Sequence, residues 1–264
     1  MTRRPLTLAA ITWGYLAWSL IPVGVAVAAS LGGRPFAPSG QPLNLDAYRF
    51  AIHDPVVGAA FVHSVRLALA TVAFAVPLGT ALGLGLRHVP ARGWQGVRGS
   101  LLLIIALPHA ALAVALFYLF AFVVRANLDA TAQLAGHVTI ALPFVALIVW
   151  TRMLLLDPSY EEQAADLGSP PLSAVSRVLL PLCAPAILVG AAVAFTLSFN
   201  EIPLSELLCL PNDCQTIPVL LGAPRSGDVP ATAYAISVLA TGVSLAVLAV
   251  TVVAVRVRQR LTRT

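Results

Sequence analysis

Three polar side chains that are candidates for a functional role lie close together in or beside an apolar stretch of the sequence. Asn200, Glu201 and Glu206 follow a long apolar run, and Pro203 stands between the two glutamates. A carboxylate in hydrocarbon is costly and usually faces a cavity or a partner, and a proline can open the backbone hydrogen-bond ladder there. These three residues are therefore candidates for lining a translocation path across the membrane or for forming its outer gate. The alternative is that the helix leaves the membrane near Asn200 and both carboxylates are hydrated.

Two histidines also lie within apolar segments, His109 directly after Pro108 and His137 further along. A lone histidine is more often a hydrogen-bonded packing residue than a ligand. No His-Glu-x-x-His motif or cysteine pair suggests a metal site, and no nucleophile–base pair is recognisable. The sequence therefore predicts neither a catalytic residue nor a metal ligand.

A third candidate region is polar and has both ends of a short helix marked. Asp157 can cap the first free N–H groups, and Pro158 suits the first helical position. Glu161 and Glu162 lie near the positive end of the helix dipole. Gly168 can adopt the left-handed conformation that ends a helix. The sequence thus predicts a helix from about residue 158 to residue 167.

A second helix start follows at once, with Ser169 as cap and Pro170 after it, and this helix is expected to end at Pro181. Two short helices joined at a glycine predict a compact protrusion. Its first helix places three residues on one side at helical spacing, namely Tyr160, Ala164 and Leu167. Small and aromatic residues on one side suit docking into a partner's groove. An amphipathic helix lying on the membrane is the alternative, which three acidic residues oppose near an anionic surface.

The elements that must position these residues are long and apolar. The chain has 264 residues, of which 59% are hydrophobic and only 10% charged, against about 25% charged in soluble domains. A crossing helix needs about 20 apolar residues, and none of the long segments alternates with period two. We therefore predict an all-α membrane protein with six transmembrane helices, at about residues 8–31, 58–86, 99–124, 131–150, 183–208 and 231–255.

The first segment resembles a signal peptide, since Arg3 and Arg4 precede it and Ala26-Val27-Ala28 resembles a cleavage site. Its apolar run exceeds the roughly 7–15 residues of a signal core, so an uncleaved helix is expected. In the second segment, Gly79 and Gly83 form a step that allows close helix packing.

The arginine distribution predicts the orientation of the chain, because cytoplasmic loops carry an excess of cations. With the N-terminus inside, the inner side receives eleven arginines, at positions 3, 4, 87, 92, 98, 152, 177, 256, 258, 260 and 263. The outer side receives four, at positions 34, 49, 125 and 225, and Arg66 in the second segment is expected to snorkel. Both termini are then cytoplasmic.

This orientation defines the expected organisation of the chain. Residues 1–57 form an N-terminal transmembrane helix and a periplasmic loop, with a short interfacial helix near residues 45–52. Residues 58–255 form the transmembrane domain with a cytoplasmic loop at 152–182, and residues 256–264 a basic tail. Cys209 and Cys214 fall outside, where a disulfide can survive, and the sequence leaves that bond open. Cys183 is expected to be a packing residue.

The charged residues also limit the partners of the chain. The net charge is +5, but the cations lie between apolar runs and form no patch, so no nucleic-acid partner is expected. All 16 cations are arginine, and a phosphate-binding loop of the Walker type needs a lysine. If ATP drives a process here, ATP and Mg²⁺ must bind to another subunit, and this chain carries no cofactor.

The polar loop resembles a known family. Glu162-Gln163-Ala164-Ala165-Asp166-Leu167-Gly168 followed by Leu180-Pro181 is similar to the EAA loop of binding-protein-dependent ABC importer permeases. Glu162, Ala164, Gly168 and Pro181 fit that pattern, while Gln163 replaces its first alanine. The resemblance continues through residues 195–201 and 217–219, is strongest to spermidine/putrescine-type permeases, and covers about residues 58–255.

The resemblance implies a type I importer permease of MetI-like architecture in the bacterial inner membrane. It implies that the loop inserts into a cytoplasmic ABC ATPase dimer, with Glu162 and Gly168 as coupling residues, Arg177 as helper, and Tyr160, Glu161, Ala164 and Leu167 beside them. It also implies a second, homologous but different permease and a periplasmic or lipoprotein binding protein. The surrounding bilayer supplies lipid contacts.

The resemblance favours a polyamine or related small cation as substrate, and the carboxylates of the fifth segment suit a cation. Permeases for phosphonate, iron, thiamine or sugars remain alternatives. An ion-coupled secondary transporter is a further alternative, but it would place its coupling carboxylates near the bilayer midplane, whereas the carboxylates here lie near a membrane edge.

Overall fold

The computed structural model describes residues 6–32, 44–211, 214–222 and 230–261, and within these ranges every regular element is helical. The helices are α1 Leu6–Ser30, α2 Asp46–His53, α3 Pro55–Gly85, α4 Ala91–Ala106, α5 His109–Tyr118, α6 Ala130–Leu154, α7 Ser159–Asp166, α8 Pro171–Ala174, α9 Leu180–Phe199, α10 Pro203–Leu208, α11 Ile217–Gly222 and α12 Ala231–Leu261. A 3₁₀ turn, Leu86–His88, follows α3, and π-helical turns occupy Leu119–Val124 and Val175–Leu179.

Five helical stretches in the described ranges are long and apolar enough to cross a membrane, and the bent pair α4–α5 makes a sixth. The all-α membrane fold and its six apolar segments are therefore confirmed. The prediction of one continuous third helix is wrong, because the chain bends by 106° between α4 and α5. Leu107 is extended, with ψ 134°, as a residue before proline prefers, and Pro108 contributes no N–H to continue the ladder.

The second helix of the polar loop does not stop at Pro181, which corrects the prediction. Residues Pro171–Phe199 form one apolar helical stretch, and the π-helical turn lies just before the proline. In that turn the Leu180 N–H donates to the Val175 carbonyl, five residues back. Proline is tolerated in such helices when neighbouring groups satisfy the freed carbonyls. The fifth segment consequently begins about twelve residues earlier than predicted.

The chain divides into two compact units, one of Met1–Ala59 with Leu220–Val243 and the other of Ala60–Val219 with Ser244–Thr264. In the first unit, the hydroxyls of Ser30 and Tyr48 lie 2.6 Å apart and join the end of α1 to α2. The short helix predicted near residues 45–52 is present as α2. Arg3, Arg4, Arg34, Arg225 and Arg263, and most of the predicted outer loop, lie outside the described residues.

In the second unit, α3 and α6 pack closely through glycines. A Cβ built on Gly79 would lie 2.7 Å from the Val145 Cβ, and one built on Gly83 would lie 2.6 Å from the Ala146 carbonyl oxygen. The predicted packing step is therefore confirmed. Around it, α9 completes a core that contains the buried Cys183, which is the packing residue that the sequence predicted.

Candidate functional site

The first helix of the polar loop, α7, has the ends that its sequence predicts. The Asp157 carboxylate accepts a hydrogen bond from the Ser159 N–H at 2.9 Å. This bond to the backbone is the main cause that lowers the pKa of Asp157 below its ordinary value. A lowered pKa keeps the capping carboxylate ionised at neutral pH, and the cap is lost only as the pH falls through that lowered value.

Gly168 ends α7 in the left-handed conformation, with φ +73°. The Gly168 N–H donates to the Ala165 carbonyl at 2.8 Å, and the Ser169 N–H donates to the Ala164 carbonyl at 2.9 Å. This pair of bonds is a Schellman motif, which most often requires glycine at the left-handed position. The motif turns the chain from α7 towards Pro171 and fixes the shape of the protrusion.

The three residues predicted to lie on one side of α7 differ in exposure. The side chain of Leu167 is 88% exposed and that of Tyr160 is 43% exposed, but Ala164 is buried at 8%. Ala164 is therefore covered, on a helix that packs against α8 and the π-helical turn after it, and does not share an exposed side with the other two. Glu162 on α7 and Arg177 on the following π-helical turn are exposed. Four exposed residues of the protrusion, Tyr160, Glu162, Leu167 and Gly168, are called the α7 surface below.

Glu161 takes a role that sequence reasoning missed. Its carboxylate lies 3.3 Å from Arg87 Nη1 and 3.4 Å from His88 Nε2. Arg87 and His88 belong to the turn after α3, so Glu161 ties α7 to the end of a membrane-spanning helix. The arginine count had placed Arg87 and the loop on the same side of the membrane, but spacing alone did not indicate which carboxylate would pair with it.

The residues predicted for the polar path lie at a break between two helices. Helix α9 ends at Phe199, Asn200–Ile202 are not helical, and α10 begins at Pro203, so the proline does interrupt the ladder. Glu201 is only 4% exposed, whereas Asn200 and Glu206 are exposed. The alternative in which both carboxylates are hydrated is therefore wrong for Glu201. Asn200 donates to the Thr196 carbonyl at 2.8 Å and to the Ser244 hydroxyl at 3.3 Å.

The buried carboxylate of Glu201 has a partner at the other helix break of this unit. Its Oε2 lies 2.7 Å from Nδ1 of His109, the first residue of α5. Its Oε1 accepts from the Leu204 N–H at 3.4 Å. The pair thus joins the kink at Pro108 to the kink at Pro203. His109 is half-buried and hydrogen-bonded, in agreement with the prediction for a lone histidine.

His137 is the hydrogen-bonded packing residue that the sequence predicted. It is fully buried, and its two ring nitrogens lie 2.8 Å from the Ser198 hydroxyl and 3.0 Å from the Ser205 hydroxyl. Next to it, the buried Gln133 lies 2.8 Å from Nε2 of His63. These contacts hold α3, α6, α9 and α10 together around the break. This pairing was not predictable from the sequence, because serines and a glutamine in apolar helices are common.

Cys209 and Cys214, after α10, form the disulfide that the sequence left open, with their Cα atoms 6.2 Å apart.

Comparison with known proteins decides the family. The pattern of the family described as "Binding-protein-dependent transport system inner membrane component" matches residues 75–263. The chain belongs to this family. It is therefore the membrane permease of a bacterial ABC importer, and it lies in the inner membrane.

Relatives of this permease carry different names. It is 28% identical over 192 residues to the spermidine/putrescine transport system permease protein PotC of Haemophilus influenzae. This alignment covers 73% of this chain and 74% of that protein. It is 27% identical over 200 residues to the molybdate/tungstate transport system permease protein WtpB of Pyrococcus abyssi, covering 75% of this chain and 79% of that one.

The fold has solved counterparts. A chain of a bacterial alginate ABC transporter, in complex with an alginate pentasaccharide-bound periplasmic protein, superposes with a TM-score of 0.70 at 16% identity, covering 99% of the permease and 96% of that chain. At that identity the likeness shows the fold alone. It confirms the importer-permease architecture expected from the EAA-like loop.

Proposed function

We propose that this permease couples import of a polyamine or related small cation to a cytoplasmic ABC ATPase dimer, which docks on the α7 surface. The observation that carries the proposal is the protrusion itself. A short helix with a fixed end at Gly168 exposes Leu167, a large apolar side chain, at 88%. An exposed apolar side chain on a rigid polar protrusion is typical of a docking element rather than of packing within the chain.

The contacts of Glu161 support a mechanical role for the protrusion. Since Glu161 pairs with Arg87 and His88, a push on α7 is transmitted directly to the end of α3. The Schellman turn at Gly168 connects the same push to the stretch Pro171–Phe199, which leads to the break at Asn200. Movement of a docked ATPase would therefore reach two membrane-spanning helices at once.

The arginine bias supports a cytoplasmic position for α7 and for both termini. The disulfide between Cys209 and Cys214 lies at the other end of the α9–α10 stretch. Disulfides persist in oxidising compartments such as the periplasm, so this bond agrees with an outward position for that end.

We propose that the helix break around Glu201 belongs to the translocation path or its gate. Asn200 and Glu206 are exposed beside the break, and Glu201 is covered and paired with His109. A carboxylate held by a histidine at a kink can exchange that partner for a cationic solute when α5 moves. The named function of the PotC relative, spermidine/putrescine transport, supports a cationic substrate.

A second substrate class has its own support. The WtpB relative is named for molybdate and tungstate, which are oxyanions. An anion would be repelled by Glu201 and Glu206, so the carboxylates at the break favour the cation. In either case we expect a second, different permease subunit and an external binding protein to complete the importer.

Uptake by the reconstituted importer tests the proposal. The permease is assembled in proteoliposomes with an ABC ATPase, a second permease and a binding protein of the same organism, and labelled spermidine and molybdate are offered in parallel. We expect spermidine uptake that requires ATP. Replacing Gly168 with proline, which cannot adopt φ +73°, should abolish uptake while the complex still assembles.

The control for this variant is Gly96→Ala, at a helical glycine with no neighbouring atom within 4 Å of an added Cβ. It should import at the normal rate. Normal ATP-dependent uptake by Gly168→Pro, or uptake by the purified chain alone under an ion gradient, would contradict the proposal. Uptake of molybdate but not spermidine would overturn the substrate class and leave the coupling intact.

A further inference from the structure

A cavity of about 430 Å³ opens where α6, α9 and α12 come together, well away from the break at Asn200. Small-molecule sites in proteins span roughly 300–1,000 Å³, so this volume is enough for part of a ligand. The residues that line it change from apolar to polar along α6 and α12. Ile148, Val189 and Val255 line the deeper part, and Arg152, Arg258 and Gln259 lie about one turn nearer the ends of α6 and α12.

Both arginines are fixed by carbonyl groups of α9. Arg152 Nε donates to the Leu182 carbonyl at 3.2 Å, and Arg258 Nη2 donates to the Pro181 carbonyl at 3.0 Å. The Pro181 carbonyl lacks its usual helical donor, because the residue four positions later is Pro185, which has no N–H. The arginine thus satisfies an orphaned carbonyl, and the same bond holds its guanidinium at the cavity.

The cavity therefore combines two fixed positive charges with an apolar interior, and among the described residues none of the side chains that line it is acidic. A polyamine would be repelled by the two guanidiniums. A free phosphate could bind the two guanidiniums, but it would leave the apolar part of the cavity unfilled. A phospholipid matches both parts, since its phosphate can bind guanidinium groups and its acyl chain can cover Leu182, Val189 and Val255.

We propose that this cavity is a binding site for an anionic phospholipid of the inner leaflet, with the phosphate at Arg152 and Arg258. The choice of leaflet rests on the orientation given under the proposed function. Basic pockets between membrane helices on the cytoplasmic side are typical sites for anionic headgroups. A bound lipid would join α6, α9 and α12 just beside the start of the protrusion.

Native mass spectrometry of the assembled transporter tests the site. The complex is delipidated and offered equal amounts of phosphatidylglycerol and phosphatidylcholine with identical acyl chains. We expect the anionic lipid to be retained about tenfold more than the zwitterionic lipid. The double variant Arg152→Gln/Arg258→Gln should lose that preference, and Arg152→Lys/Arg258→Lys should keep most of it. Arg256→Gln, on the same helix but outside the cavity, should behave as the unmodified permease.

Val189→Trp provides a variant that leaves both arginines in place. The larger side chain fills the apolar part of the cavity and should also reduce retention of the anionic lipid. Equal retention of the two lipids, equal loss in Arg256→Gln, or full displacement by millimolar inorganic phosphate would each overturn the proposal. Because the readout is bound lipid, loss of uptake with the lipid preference intact would count against the proposed function alone.

Discussion

At the scale of single residues, Glu161 shows how one ion pair can join a docking element to the membrane bundle. We expect Glu161→Gln to weaken the contact with Arg87 and His88 by about 0.5–1 kcal/mol, since both sides are partly solvated. Coupling should suffer more than assembly, so transport per ATP hydrolysed should fall. The measurement is ATP-driven uptake together with ATPase rate in the same proteoliposomes.

Charge exchange provides the control for Glu161. The double variant Arg87→Glu/Glu161→Arg restores opposite charges at the same positions and should recover part of the lost coupling. If Arg87→Glu alone, which places two carboxylates together, couples as well as the unmodified permease, Glu161 does not transmit movement through this pair.

The pair His109–Glu201 makes a second prediction at this scale. A double-mutant cycle of His109→Gln and Glu201→Gln should give a coupling free energy of about 0.5–3 kcal/mol, as expected for two groups in direct contact. Thermal unfolding of the purified permease measures it. Additive effects of the two single variants would mean that the 2.7 Å contact contributes little, and that the two helix breaks are held independently.

At the scale of helices, the close packing of α3 on α6 depends on two glycines. We expect Gly79→Val to destabilise the permease by about 1–3 kcal/mol or more, because its side chain would overlap Val145. Thermal unfolding in detergent checks this, with Gly99→Val as control, since no atom lies within 4 Å of a Cβ at Gly99. Val145→Ala should restore part of the loss. Equal effects at the two glycines would contradict the packing account.

Helix existence could be read from the sequence, but helix continuity could not. The caps of α7 were predictable because Asp157, Pro158 and Gly168 act locally. Pro108 and Pro181 both lie in apolar runs, yet the chain bends at the first and continues as a helix through the second, and the difference depends on neighbours that a single segment does not show. Pro181 remains within a helix because a π-helical turn precedes it. Arg258, 77 residues away, binds the Pro181 carbonyl, which Pro185 leaves without a helical donor. Long-range partners of this kind also explain why the contacts of Glu161, Glu201 and His137 were missed.

At the scale of the whole molecule, composition and the arginine bias were enough to predict a multi-pass inner-membrane protein, and the EAA-like loop was enough to predict its family. Composition and the arginine bias depend on many residues together, and the loop is a motif for which a mechanical role is expected. The substrate is not readable in this way, because selection among solutes depends on a few contacts and on other subunits. The relatives of this permease accordingly carry substrate names as different as spermidine and molybdate.

Photo-cross-linking from the α7 surface tests the central claim most directly. A photoreactive amino acid replaces Leu167, which is 88% exposed, or Leu210, which is 66% exposed beyond α10. In cells that contain the complete importer, we predict that position 167 links to the ABC ATPase and that position 210 does not. Absence of a link from position 167, or labelling of that position from outside intact cells by a membrane-impermeant reagent, would contradict the account.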